Sequence, residues 1–214
     1  MEILSTDTSR NNGHHKKAFY LSLFTVAYNF LEGIVSVAAG MVSGSIALVG
    51  FGLDSFVESL SGGIMIWRFR GLGNLSHEEE ERMEAKSVRL VAYTFFILGA
   101  YVLYESMKKL ILGEPPEPSL LGIVIAVVSL VVMPVLFFMK RSEGKTIGSR
   151  SLLADSKQTL ACCYLSVALL AGLGLNYLFG IWWADPAAGL FIVVFLIREG
   201  YEALKEGRAG CCGV

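Results

Sequence analysis

The sequence predicts an all-α membrane protein of six transmembrane helices with both termini in the cytoplasm. Three observations predict it. Hydrophobic residues fill 54% of the 214 positions and mean hydropathy is +0.57, too apolar for a soluble domain with one core. The apolar residues come in six runs, each of about 20 residues, the length of a helix that crosses a bilayer. Basic residues such as Lys16, Lys17, Arg68, Arg70, Lys140, Arg141 and Lys145 gather on the side of the termini, while Lys108 and Lys109 lie opposite. Positive charge marks the cytoplasmic side.

The expected order is a cytoplasmic tail over 1–17, a six-helix transmembrane domain over 18–204 and a short cytoplasmic tail over 205–214. The tail 1–17 is polar, reads as disordered, and lacks the apolar core of a secretory signal. The first span, about 18–41, carries Asn29 and Glu32 on one face, with Gly33, Ser36 and Gly40 as small residues that let a neighbouring helix approach. Ser43 and Gly44 turn the chain into the second span, about 45–67. A charged segment follows, in which Ser76 and Glu79 resemble a capping box, so a helix should start near His77. It leads into the third span, about 90–112, where Glu105 and Lys109 have salt-bridge spacing. The fourth span, about 120–139, holds no ionisable residue and reads as packing; Lys140 opens a basic loop. The fifth span, about 152–177, carries Asp155, Gln158, Thr159 and Cys162 on one polar stripe. Asp185 as N-cap and Pro186 at the first helical position open the sixth, about 184–204.

Candidate functional residues come from charge in the wrong solvent. Asp54 and Glu58 are four apart, one turn from each other on one face of the second span. A carboxylate at mid-bilayer costs roughly 2.5–3.5 kcal/mol on insertion scales. No basic residue is expected at their depth to pair with them. At about 1.5 Å per residue, Asp54 lies about 16 Å from the outer turn, Gln158 and Cys162 about 12–18 Å from the inner face, and Asn29 and Glu32 about 18–22 Å from Lys17. Three helices thus bring O, N and S groups to similar depth. Plainer readings stand beside this: Gln158 as an interhelical hydrogen bond and Cys162 as a small hydrophobe.

Net charge of −1 points away from nucleic acid as a partner. The four cysteines form two adjacent pairs, Cys162–Cys163 and Cys211–Cys212, which suit no disulfide framework.

Several stretches resemble the cation diffusion facilitator family: Asn29, the Ser-Gly-Ser of 43–45, Leu-Asp-Ser-Phe-Val-Glu over 53–58, Leu-Ala-Asp-Ser-Lys-Gln-Thr-Leu-Ala-Cys over 153–162, and Asp185-Pro186. The resemblance covers all six spans. It implies export of a divalent metal in exchange for protons by a homodimer with alternating access. It also implies a transport site that pairs two acids on the second helix with a His or Asp and an Asp, four apart, on the fifth. Asp54 and Glu58 match the first pair, and Gln158 and Cys162 stand at the second, neither the usual residue. The family's cytoplasmic metal-binding domain is not expected, and the His-Gly before the third span is missing. A divergent, membrane-only branch is the expectation.

The expected function is therefore efflux of a divalent metal by proton antiport across the cell (plasma or inner) membrane, not enzymatic. Expected ligands are Asp54, Glu58, Gln158 and Cys162, with Asn29, Glu32 and Asp155 as further candidates. No cofactor is expected. Two carboxylates and a thiolate favour zinc as the transported ion, with cadmium as its mimic and other divalent metals behind. Expected partners are the metal, protons, the lipid bilayer and a second copy of the chain. The competing expectation is a non-transporting scaffold or partner subunit that keeps a vestigial metal site.

Overall fold

A computed structural model describes residues 3–71, 77–117, 119–148 and 150–209. Those residues form six α-helices: α1 Ile3–Ser43, α2 Ile46–Gly71, α3 His77–Leu112, α4 Leu120–Thr146, α5 Arg150–Phe179 and α6 Ala184–Ala209. Three segments are long and apolar enough to cross a membrane, Lys16–Ser43, Leu120–Thr146 and Asp155–Phe179. Exposed apolar side chains such as Leu31, Val42, Ile97, Val131, Phe138 and Val194 cover the outside, as lipid rather than water demands.

The helices outrun the expected spans. α1 starts at Ile3, inside the stretch read as a tail, and α4 continues to Thr146 through residues read as a loop. Once an apolar span has nucleated a helix, each added residue brings one hydrogen bond, so polar flanks continue it. α1 and α4 stop at Gly44 and Gly148, whose positive φ lets the chain turn away. The helix start near His77 agrees with α3, while Ser76 lies outside the described residues, as do Cys211 and Cys212.

α1 packs on α2, α3 on α6 and α4 on α5. α2 also touches α3, α5 and α6, which makes it the central helix. Small residues set the α1–α2 distance: a Cβ on Gly33 would meet the Gly52 carbonyl at 2.9 Å, and one on Gly52 would meet Ser36 Cβ at 2.8 Å. The core runs through Leu48, Phe51, Val102, Met133, Leu165, Leu169, Ile192 and Leu196.

One end of the bundle gathers the α1–α2, α3–α4 and α5–α6 turns. Glu117 N–H donates to the Ser43 carbonyl at 2.8 Å, and Asn176 Nδ2 to the Pro116 carbonyl at 3.1 Å. Two local expectations are corrected here. Asp185 lies inside the first turn of α6, and its carboxylate accepts from Ser45 Oγ and from Ile46 N–H at 3.0 Å. It therefore caps α2 instead of its own helix, because the unpaired N–H groups that begin α2 face it. Lys109 donates to the Gly44 carbonyl at the end of α1, a favoured place for a cation, and Glu105 pairs with Lys108 at 3.8 Å instead.

Candidate cation site

α2 buries the stripe Leu48, Phe51, Asp54, Ser55 and Glu58, the three-and-four spacing of one helical face. Asp54 and Glu58 are therefore carried inward by the same periodicity that buries the apolar residues. Asp54 is 7% exposed and Glu58 1%. Among the described residues, the charges in electrostatic reach of Asp54 are Glu58, Glu199 and Glu32.

Glu58 has a basic partner, against the sequence expectation. Lys140 is fully buried on α4. Its Nζ lies 2.8 Å from Asp155 Oδ2 and 3.7 Å from Glu58 Oε1, and donates to Thr159 Oγ1 at 2.8 Å. The Thr159 hydroxyl in turn donates to Glu58 Oε1 at 2.7 Å. The expectation failed because α4 does not end at Met139. Its last two turns carry Lys140 back into the bundle on the buried face that holds Ala126, Ser129, Met133, Leu136 and Gly144. Gly144 lets α5 approach closely, since a Cβ there would meet the Leu153 side chain at 3.1 Å.

Around this cluster stand further polar groups. Glu32 on α1 accepts from Tyr28 Oη at 3.0 Å and from Ser55 Oγ at 3.0 Å, which ties α1 to α2 beside the acids. Cys162 is a buried free thiol in electrostatic reach of Glu58, Glu32 and Asp54. Asn29 is fully buried and its side chain faces Glu58, though neither of its polar atoms makes a well-formed hydrogen bond. The same is true of Glu58 Oε2, Asp155 Oδ1 and Gln158 Nε2. Buried polar atoms are seldom left so, and several of them gather here.

The structure thus gathers Asp54, Glu58, Glu32 and Cys162 within electrostatic range, and adds Asp155 through Lys140. Gln158 is half-buried, and no hydrogen bond or ion pair among the described residues joins it to the two acids of α2. No three of His, Cys, Asp and Glu among the described residues stand close enough to hold one metal in common. Sequence reasoning passed over Lys140 and gave Thr159 no role at the site. The signal for Lys140 was its register: it falls seven residues after Met133 and eleven after Ser129, on the same helical face.

Comparison with known proteins bears on the same region. Residues 22–209 match the family model of the cation efflux transmembrane domain. The chain is 22% identical over 200 residues to the cadmium, cobalt and zinc/H(+)-K(+) antiporter of Bacillus velezensis, covering 91% of this chain and 62% of that protein. It is 20% identical over 194 residues to transmembrane protein 163 of Xenopus laevis, covering 90% and 68%. It is 26% identical over 185 residues to the cation-efflux pump FieF of Cronobacter sakazakii, covering 81% and 60%. The chain spans less than two thirds of the length of both bacterial relatives. With the family model matched along most of its length and an all-helical bundle whose apolar helices suit a membrane, this chain belongs to the cation efflux, or cation diffusion facilitator, family.

Proposed function

We propose that this protein exports a divalent metal, zinc first, in exchange for protons, and that the ion binds within the bundle at Asp54 and Glu58. The observation that carries this reading is the pair of carboxylates one turn apart on the central helix, buried beside a free thiol and further acids. Cys162 is the sulfur ligand. Gln158, Asn29, Glu32 and Asp155 complete the shell as the helices move, with the unpaired Asn29 amide and Gln158 Nε2 the best placed to gain a partner. Metal and proton compete for the same carboxylate and thiolate groups, so protons arriving from outside displace the ion. The names of the bacterial relatives support cation efflux and proton coupling.

In this reading the six helices all cross the cell membrane, the end that gathers the three short turns faces outward, and both termini face the cytoplasm. A homodimer is formed by helix packing, since α4 presents exposed Val124, Val128, Val131 and Val135 along one face. The competing reading, a non-transporting subunit, gains nothing from the relatives.

The test is flux into proteoliposomes that hold this protein alone, across zinc, cadmium, cobalt, manganese and magnesium, with a pH-sensitive dye inside. Zinc and cadmium movement with opposite proton movement is expected. No flux of any metal would leave the protein without the function proposed.

A further inference from the structure

Lys140 is a side chain that a membrane bundle has physical reason to avoid. Lysine is almost never fully buried unless paired, and a buried ion pair is often no more stabilising than apolar side chains of the same volume. α4 is otherwise apolar from Leu120 to Met139 apart from Ser129. The ammonium nevertheless sits between Glu58 of α2 and Asp155 of α5, each on a different helix.

The two contacts differ. Lys140 is close to Asp155, at 2.8 Å, and loose on Glu58, at 3.7 Å. Glu58 Oε2 is buried and has no hydrogen-bond partner. Thr159 bridges the gap by accepting from Lys140 and donating to Glu58, and it has a second acceptor in the Asp155 backbone carbonyl at 3.2 Å. Every member of the cluster can release Glu58 without being stranded: Lys140 keeps Asp155, and Thr159 keeps a carbonyl.

We propose that Lys140 is a tethered counter-cation which a divalent metal displaces from Glu58 on binding and which drives the metal off again by returning. This inference rests on the metal-transport reading of the same site and adds the residue that sets its affinity and release. Lys140 is a positioning residue here: it acts through Glu58 and does not touch the metal. A purely structural ion pair would instead lose stability, binding and flux together when broken.

The experiment is a zinc titration of the purified full-length chain in detergent, read by competition with a fluorescent chelator, together with zinc flux in proteoliposomes. Removing the competing charge in Lys140→Met is expected to tighten zinc binding about tenfold while lowering maximal flux by a similar factor. Lys140→Arg keeps the charge and should return both quantities towards wild type. Because Lys140→Met leaves two carboxylates facing each other and endangers folding, the double variant Lys140→Met/Asp155→Asn is measured beside Asp155→Asn alone, and a similar tightening relative to Asp155→Asn is expected. Asp54→Ala in the same titration separates the two ideas. If Asp54→Ala abolishes zinc binding but Lys140→Met binds no tighter than wild type and Lys140→Met/Asp155→Asn no tighter than Asp155→Asn, the counter-cation is overturned and the transport site stands. If wild type binds no zinc that Asp54→Ala removes, the site reading fails and this inference with it.

Discussion

Two buried polar clusters tie these helices together, and they are built differently. At the turn end, Asp185 accepts from Ser45 and Ile46 N–H, and Lys109 fills the carbonyl at Gly44. No side-chain atom of Ser45, Asp185 or Asn176 there is left buried and unpaired, and Ser106 Oγ, against Gly189, is the exception beside them. In the middle of the bundle, Glu58, Asp155, Asn29 and Gln158 all keep buried polar atoms without hydrogen-bond partners. A satisfied cluster holds a fold; an unsatisfied one is costly unless something else uses it. The turn end therefore reads as fixed architecture, and the middle is where the proposed cation site lies.

Substitutions can break or sharpen that contrast. The largest effect is expected for Asp54→Ala. It should abolish metal flux while leaving the melting temperature near wild type, because the charges near Asp54 among the described residues are acidic and losing a buried carboxylate among them relieves desolvation and repulsion. Wild-type flux would remove Asp54 from the site. Asp185→Ala should do the reverse. It strips the cap from α2 and should cost about 1–3 kcal/mol, seen as a lower melting temperature in detergent, while flux per folded molecule is kept. Smaller still is Cys162→Ser, which should weaken zinc and cadmium about tenfold and manganese less, since sulfur favours the softer ions. Equal effects on all three metals would make the thiol a packing group.

Much of this was legible in the sequence. Six apolar runs announced six helices, and Gly33, Ser36 and Gly40 announced a close approach by another helix, which the structure makes with α2. Asp54 and Glu58 stood out because carboxylates are rare in apolar runs. What escaped was the choice of partner. A lysine after an apolar run has two readings, reaching to the membrane surface or folding back into the bundle, and only the length of α4 decides. Asp185 beside Pro186 looked like a cap for its own helix, and Lys109 like a partner for Glu105. Each instead found a partner on α1 or α2, because sequence spacing displays neighbours along one helix and hides those across the bundle. Gln158 followed the polar stripe of α5 to its edge, where it is half-buried, whereas Thr159, one position on, took the centre.

The contrast between the two clusters is tested most directly by zinc binding to two purified variants, Asp54→Ala and Asp185→Ala, each held below its own melting temperature. The expected result is no measurable zinc binding for Asp54→Ala and wild-type affinity for Asp185→Ala. Wild-type zinc affinity in Asp54→Ala, or its loss in folded Asp185→Ala, would contradict the assignment of the cation to the middle of the bundle.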